Sequence, residues 1–165
     1  AAMGADVAGT LDGKLPDNDE IFAAALADSN IVLGFGILPG ENAYRPARKA
    51  GLAFTGLDPA RSIAGFAAAI GNIPPLQNEA AGLGAISISP QDNQGIVRQV
   101  PLVWSDGQSV FPSLALEALR VAQGAQTILV RSTQEEPAAA LSVRVGDFEI
   151  PTTRRGAPSA ACARS

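Results

Sequence analysis

Hydrophobic positions change period several times along the chain, and the changes mark out alternating helices and strands. Asp17-Asn18-Asp19-Glu20 precedes Ile21, Phe22, Ala25 and Leu26, which share one helical face. Asp17 or Asp19 is placed to cap that helix, and the remaining acids suit its positive end. Asp28-Ser29-Asn30 stops it. Ile31-Val32-Leu33-Gly34-Phe35 follows as a continuous apolar run, the pattern of a strand buried on both faces. A helix followed by a buried strand is half of an α/β unit.

Residues 36–49 read as a loop broken by Pro39-Gly40 and Arg45-Pro46, and 52–55 as a short strand ended by Gly56. The alanine-rich stretch 62–70 fits a loose helix or an irregular packed segment. Leu76–Ala81 predicts a short helix opened by Pro75 and ended by Gly82. Residues 85–89 alternate in the strand period, residues 90–95 carry turn chemistry, and 96–104 returns as a long strand, so the pair predicts a hairpin. Pro101 inside the second strand argues for an edge or a bulge. After a turn at 105–108, Pro112 suits the first turn of a helix that buries Leu114, Ala115, Ala118, Leu119 and Ala122 and closes at Gly124. Thr127–Arg131 is a strand, and 141–145 with 148–150 forms a hairpin across Gly146-Asp147. Residues 1–14 are small and Gly-rich, which predicts a poorly ordered opening segment. From 152 onward apolar periodicity is gone, which predicts a disordered C-terminal tail. The fold class is α/β, a mixed sheet with helices packed on it.

Composition narrows the chemistry. The 165 residues are 47% hydrophobic and 17% charged, with mean hydropathy +0.16, a globular balance. Histidine is absent, which excludes Ser-His-Asp or Cys-His nucleophile systems and His-ligated metals within the chain. One cysteine, Cys162, excludes an internal disulfide framework and multi-Cys metal sites. No cofactor is expected. Three of the 12 basic residues, Arg154, Arg155 and Arg164, lie in the tail, so residues 1–151 carry nine against 16 acidic ones. An acidic body repels phosphate backbones and argues against nucleic acid. The longest uncharged stretch, 62–78, is broken by Gly65, Gly71, Pro74 and Pro75 and does not read as a membrane span. The first residues, Ala-Ala-Met, read as the start of a piece of something larger.

Few residues suggest chemistry. Asp17, Asp19 and Glu20 have the oxygen ligands of a hard-cation site, but their position favours capping. Gly34-Phe35-Gly36 lacks the third glycine of a phosphate loop and reads as a loop-forming pair. Tyr44, Arg45, Arg48 and Lys49 form the only basic cluster of the body, a candidate anion or headgroup contact or a solvated loop. Trp104 reads as a core-edge aromatic. Asp92 to Arg98 is the most individual segment: Gly95 suits a positive-φ turn, and Arg98 can pair Asp92 or bind a carboxylate or phosphate. A turn held by its own Asp and Arg explains the same residues.

From Gly84 to Glu117 these pieces line up. The segment 84–90, then Asp92, Gly95 and Arg98, then Val100-Pro101-Leu102, then Phe111-Pro112-Ser113-Leu114-Ala115-Leu116-Glu117 resembles the CHASE2 family of extracytoplasmic sensor domains in bacterial transmembrane receptors. Asn18–Leu26 before Ile31–Gly34 resembles the family's aspartate, helix and strand. Gln94 stands where the family usually has a second Asp, which weakens a metal reading of the turn. The resemblance covers about residues 15–151. It implies a partial sensor domain whose opening strands are missing, and a tail after Pro151 that departs from the expected strand, through truncation or a shifted reading frame. It also implies an extracytoplasmic, non-catalytic module sensing an unknown small ligand, joined to the membrane by helices outside this chain, with an output domain inside the cell. Glu117-Ala118-Leu119-Arg120 is closest to the cyclase-linked members. A homodimer is the expected state of such a parent receptor, although no residue here marks a dimer face.

The expected ligand-binding residues are Asp92, Arg98, Arg45, Arg48 and Lys49, with Gly95, Pro101, Leu102, Pro112, Ser113 and Leu114 as structural motif residues and no metal. The alternatives are a small His-free α/β enzyme or soluble binding protein using Asp92 and Arg98, and a structural remnant that folds poorly.

Overall fold

The computed structural model describes residues 17–88, 99–135 and 138–152. Asp92, Gly95 and Arg98, the opening segment and the tail from 153 lie outside the described residues. The elements in chain order are α1 (Asn18–Ala27), β1 (Val32–Leu38), β2 (Gly51–Thr55), β3 (Ala68–Ile70), α2 (Pro74–Glu79), β4 (Gly82–Ala85), β5 (Val103–Ser105), β6 (Val110–Pro112), α3 (Leu114–Ala122), β7 (Thr127–Ser132), β8 (Ala140–Val145) and β9 (Phe148–Pro151). Among the described residues they form a mixed α/β structure of three sheets. One has the order β3-β1-β4, with β1 parallel to β4 and antiparallel to β3. A second has the order β2-β7-β8-β9, with one parallel pair, β2 with β7. The third is the β5-β6 pair.

Two apolar clusters hold these layers. Val103, Val110, Leu116, Ile128, Val130, Val143 and Val145 fill the core over the four-stranded sheet. Phe35, Phe66, Ala69, Ala85, Trp104 and Phe111 fill the other, where the Phe35, Phe66 and Phe111 rings meet at centroid distances of 5.5–6.3 Å. Trp104 is 5% exposed, a core residue and not a core-edge one.

Local chemistry explains several elements as expected. Asp17 caps α1, accepting from the N–H groups of Asp19 at 2.9 Å and Glu20 at 3.4 Å. Gly124 takes φ +61° just past α3, and Gly146 takes φ +55° in the β8–β9 hairpin.

Other expectations are corrected. In α1 only Ala23 and Leu26 are buried, while Ile21 and Phe22 are about half exposed. Among the described elements the helix packs mainly on the short α2, and that narrow contact needs only an i, i+3 stripe. Gly34 and Gly36 lie within β1, not in a loop. β1 is not buried on both faces either: Phe35 is its one fully buried residue. The 62–70 stretch is irregular and then enters β3. α2 starts at Pro74 and ends at Glu79, because Gly82 already belongs to β4.

The expected strand at 85–89 is displaced to Gly82–Ala85, and β5 starts only at Val103, pairing with β6 rather than with the preceding strand. Pro101 lies just before β5, where its missing N–H removes nothing from a ladder. In α3 the buried residues are Leu116, Glu117 and Arg120, while Ala115, Ala118 and Ala122 are exposed. Pro112 is the last residue of β6, and Ser113 is the N-cap, its Oγ accepting from Leu116 N–H at 3.3 Å.

On the outer face of the four-stranded sheet, Glu149 accepts from Ser142 Oγ at 2.6 Å and from Arg131 at 3.1 Å. The Ser142 hydrogen bond, the one from Arg131 and the charges of Arg131 and Arg144 hold its carboxyl below the usual value. A depressed pKa stabilises the fold above the unfolded value, and the contribution is lost as pH falls through the folded one. Arg131→Ala is expected to move the Glu149 titration upward, read by side-chain carboxyl NMR. An unmoved titration contradicts the assignment.

Candidate functional site

The 39–49 loop starts where β1 ends and is strapped across the end of the three-stranded sheet. Asn42 binds Ala69 twice, donating to its carbonyl at 2.8 Å and accepting from its N–H at 3.2 Å. Tyr44 donates its hydroxyl to Gln77 Oε1 at 3.0 Å; Gln77 donates to Asn72 O, and Asn72 donates to Gly34 O at 2.9 Å. A Cβ on Gly71 would land on the Tyr44 hydroxyl, so a larger residue there would push the Tyr44 ring off its Gln77 partner. Burial raises the Tyr44 phenol above its ordinary value, against the opposing pull of its hydrogen bond to Gln77, so it stays a neutral donor. Tyr44→Phe leaves buried Gln77 short of a partner and is expected to cost about 1–2 kcal/mol in urea unfolding. No loss would mean that water replaces the hydroxyl.

This strap fixes Arg45. Its Nη1 donates to Asn42 O and Tyr44 O at 2.8 Å each and to Ala67 O at 3.5 Å. Its Nε stands 3.7 Å from Asp106 Oδ2, in the β5–β6 turn. Asp106 is held in turn by its own loop: Oδ1 accepts from the N–H groups of Gln108 at 3.0 Å and Ser109 at 2.7 Å. Glu41, Asn42, Arg45, Phe66, Ala67 and Asp106 line an open cleft of about 420 Å³.

The basic run is therefore divided. Arg45 faces the cleft, Lys49 Nζ donates to Asn78 O at 2.6 Å near the end of α2, and Arg48 is exposed. Asp106, Glu41 and Phe66 had no signal of their own in the sequence: Asp106 read only as a turn residue, and no periodicity ties it to Arg45.

The motif residues within the described segments converge on one junction. Leu102 O accepts from Ser113 N–H at 2.8 Å, Pro101 is buried beside it, Pro112 pairs with Val103, and the start of α3 at Leu114 lies on Gly84. A family model for the CHASE2 domain matches residues 1–162, extending past the 15–151 stretch that carries the motifs at both ends. The chain belongs to the CHASE2 domain family. CHASE2 domains are extracellular sensory domains of signalling receptors, not catalytic ones. No curated protein and no solved structure matches this CHASE2 domain. Among the described residues, no helix is long and apolar enough to cross a membrane, and no three acidic or Cys side chains gather as a metal site would require.

Proposed function

We propose that this CHASE2 domain is the periplasmic sensory part of a bacterial transmembrane receptor, held at the membrane by helices outside the present chain. In this reading it binds a small ligand and controls an adenylate or guanylate cyclase carried by the same parent chain. The observation that supports it is the family match over residues 1–162. The cyclase output is drawn from the phrase Glu117-Ala118-Leu119-Arg120, the part of the sequence closest to cyclase-linked members. The ligand-binding residues in this reading are Arg45, Arg48 and Lys49 of the strap together with Asp92 and Arg98. Ligand binding acts by favouring one of two states of the domain, which the membrane helices pass inward. The parent receptor works as a homodimer.

Cyclic nucleotide output in cells expressing the parent chain tests this. The expected result is an output that responds to the extracellular medium and loses that response when the domain is deleted. Output indifferent to the deletion contradicts the reading.

A further inference from the structure

We propose that the cleft between the 39–49 strap and the β5–β6 turn binds a small zwitterion of the amino-acid type, its carboxylate on Arg45 and its ammonium on Asp106 and Glu41. This rests on the sensory reading above and names the ligand class. The guanidinium is preorganised. Three backbone carbonyls hold Nη1, which sets the plane of the group. The Nε–Nη2 edge, the one that grips a carboxylate with two parallel hydrogen bonds, has no hydrogen-bond partner among the described residues. Asp106 Oδ2 faces that edge at 3.7 Å, too far for a hydrogen bond, while Oδ1 is engaged by its turn. Two charged groups thus stand side by side, each fixed by its other end and neither fully partnered. The Arg45 side chain is 46% exposed, and an ion pair at such a place contributes little by itself, so exchanging it for two ligand contacts costs little.

The charge count selects the ligand. One guanidinium and two carboxylates line the cleft, in a body that is itself acidic. A plain anion meets net repulsion, and a plain cation leaves the open edge of Arg45 unmatched. A zwitterion satisfies both. Phe66 and Ala67 add an apolar wall, which suits an aliphatic or aromatic side chain on the ligand.

Isothermal titration of the 165-residue chain with L-leucine, 4-methylpentanoate and 3-methylbutylamine tests the site, since the last two each lack one charge of leucine. Leucine is expected to bind, and each half to bind about tenfold more weakly or worse. Asp106→Asn keeps an oxygen acceptor for the turn N–H groups, and Glu41→Gln alters an exposed residue. Both are expected to weaken leucine while leaving 4-methylpentanoate unchanged or tighter. Arg45→Lys, which keeps the charge and loses the two-pronged edge, is expected to weaken leucine and 4-methylpentanoate alike. Equal affinity for leucine and either half overturns the site. So does the absence of binding to leucine, phenylalanine and glycine by protein with a cooperative melt. Neither outcome touches the sensory reading, which is tested separately by deletion of the domain.

Discussion

Arg120→Ala is expected to destabilise the domain by about 4 kcal/mol, because it strands a charge that has no access to water. Glu117 is 0% exposed, and both its oxygens are taken by Arg120, Oε1 by Nη2 at 2.8 Å and Oε2 by Nε at 3.0 Å. The same guanidinium donates to Ala81 O at 2.9 Å and Ala125 O at 2.8 Å, so one side chain ties α3 to the start of β4 and to the turn before β7. Removing it leaves a buried carboxylate and two carbonyls without their donors. Against a typical stability of roughly 5–15 kcal/mol this is a large fraction. The double variant Glu117→Leu/Arg120→Met removes both charges and is expected to lose less than Arg120→Ala alone. Urea unfolding of the two variants beside the parent sequence measures this. A loss below about 1 kcal/mol for Arg120→Ala would mean that water reaches Glu117.

Gly84→Ala is expected to cost about 3 kcal/mol, by forcing α3 off its sheet. A Cβ at Gly84 would stand 2.5 Å from Leu114 Cα, 2.7 Å from Leu114 N and 2.8 Å from Ser113 C. All three are backbone atoms at the start of the helix, so no rotamer change relieves the contact. Gly36→Ala is the control. It sits in the neighbouring strand, and among the described residues its new methyl meets the exposed Ile70 Cγ2 at 3.2 Å, which can turn away. It is expected to be neutral or stabilising by up to about 1 kcal/mol, since alanine loses less backbone entropy than glycine. Thermal unfolding separates the two. Equal melting points would contradict the direct seating of α3 on β4.

Those same residues explain which parts of the fold could be read from the sequence. Strands β7, β8 and β9 are legible because β-branched residues alternate there around a Gly-Asp turn. Strand β4, Gly82-Leu83-Gly84-Ala85, carries no strand-forming side chains. Its glycines admit Glu117 and the helix backbone, so the apolar–polar alternation that marks a strand begins only at Ala85, three residues after β4 starts. The buried face of α3 is hidden for a related reason: Glu117 and Arg120 are polar by type but buried by pairing, so apolar periodicity does not mark them. At the cleft, Arg45 was legible as a cation in a short basic run. Its meeting with Asp106 and Phe66 was not, because three loops distant in the chain build it and loops carry no period.

As the outer sensor of a membrane receptor, the role proposed above, this CHASE2 domain would be encoded next to membrane segments. Reading the coding DNA on both sides of it, in all frames, tests this most directly. The expected result is an upstream membrane helix and, downstream and in frame, several membrane helices followed by a cyclase domain. Flanking sequence that encodes no membrane segment on either side would contradict it.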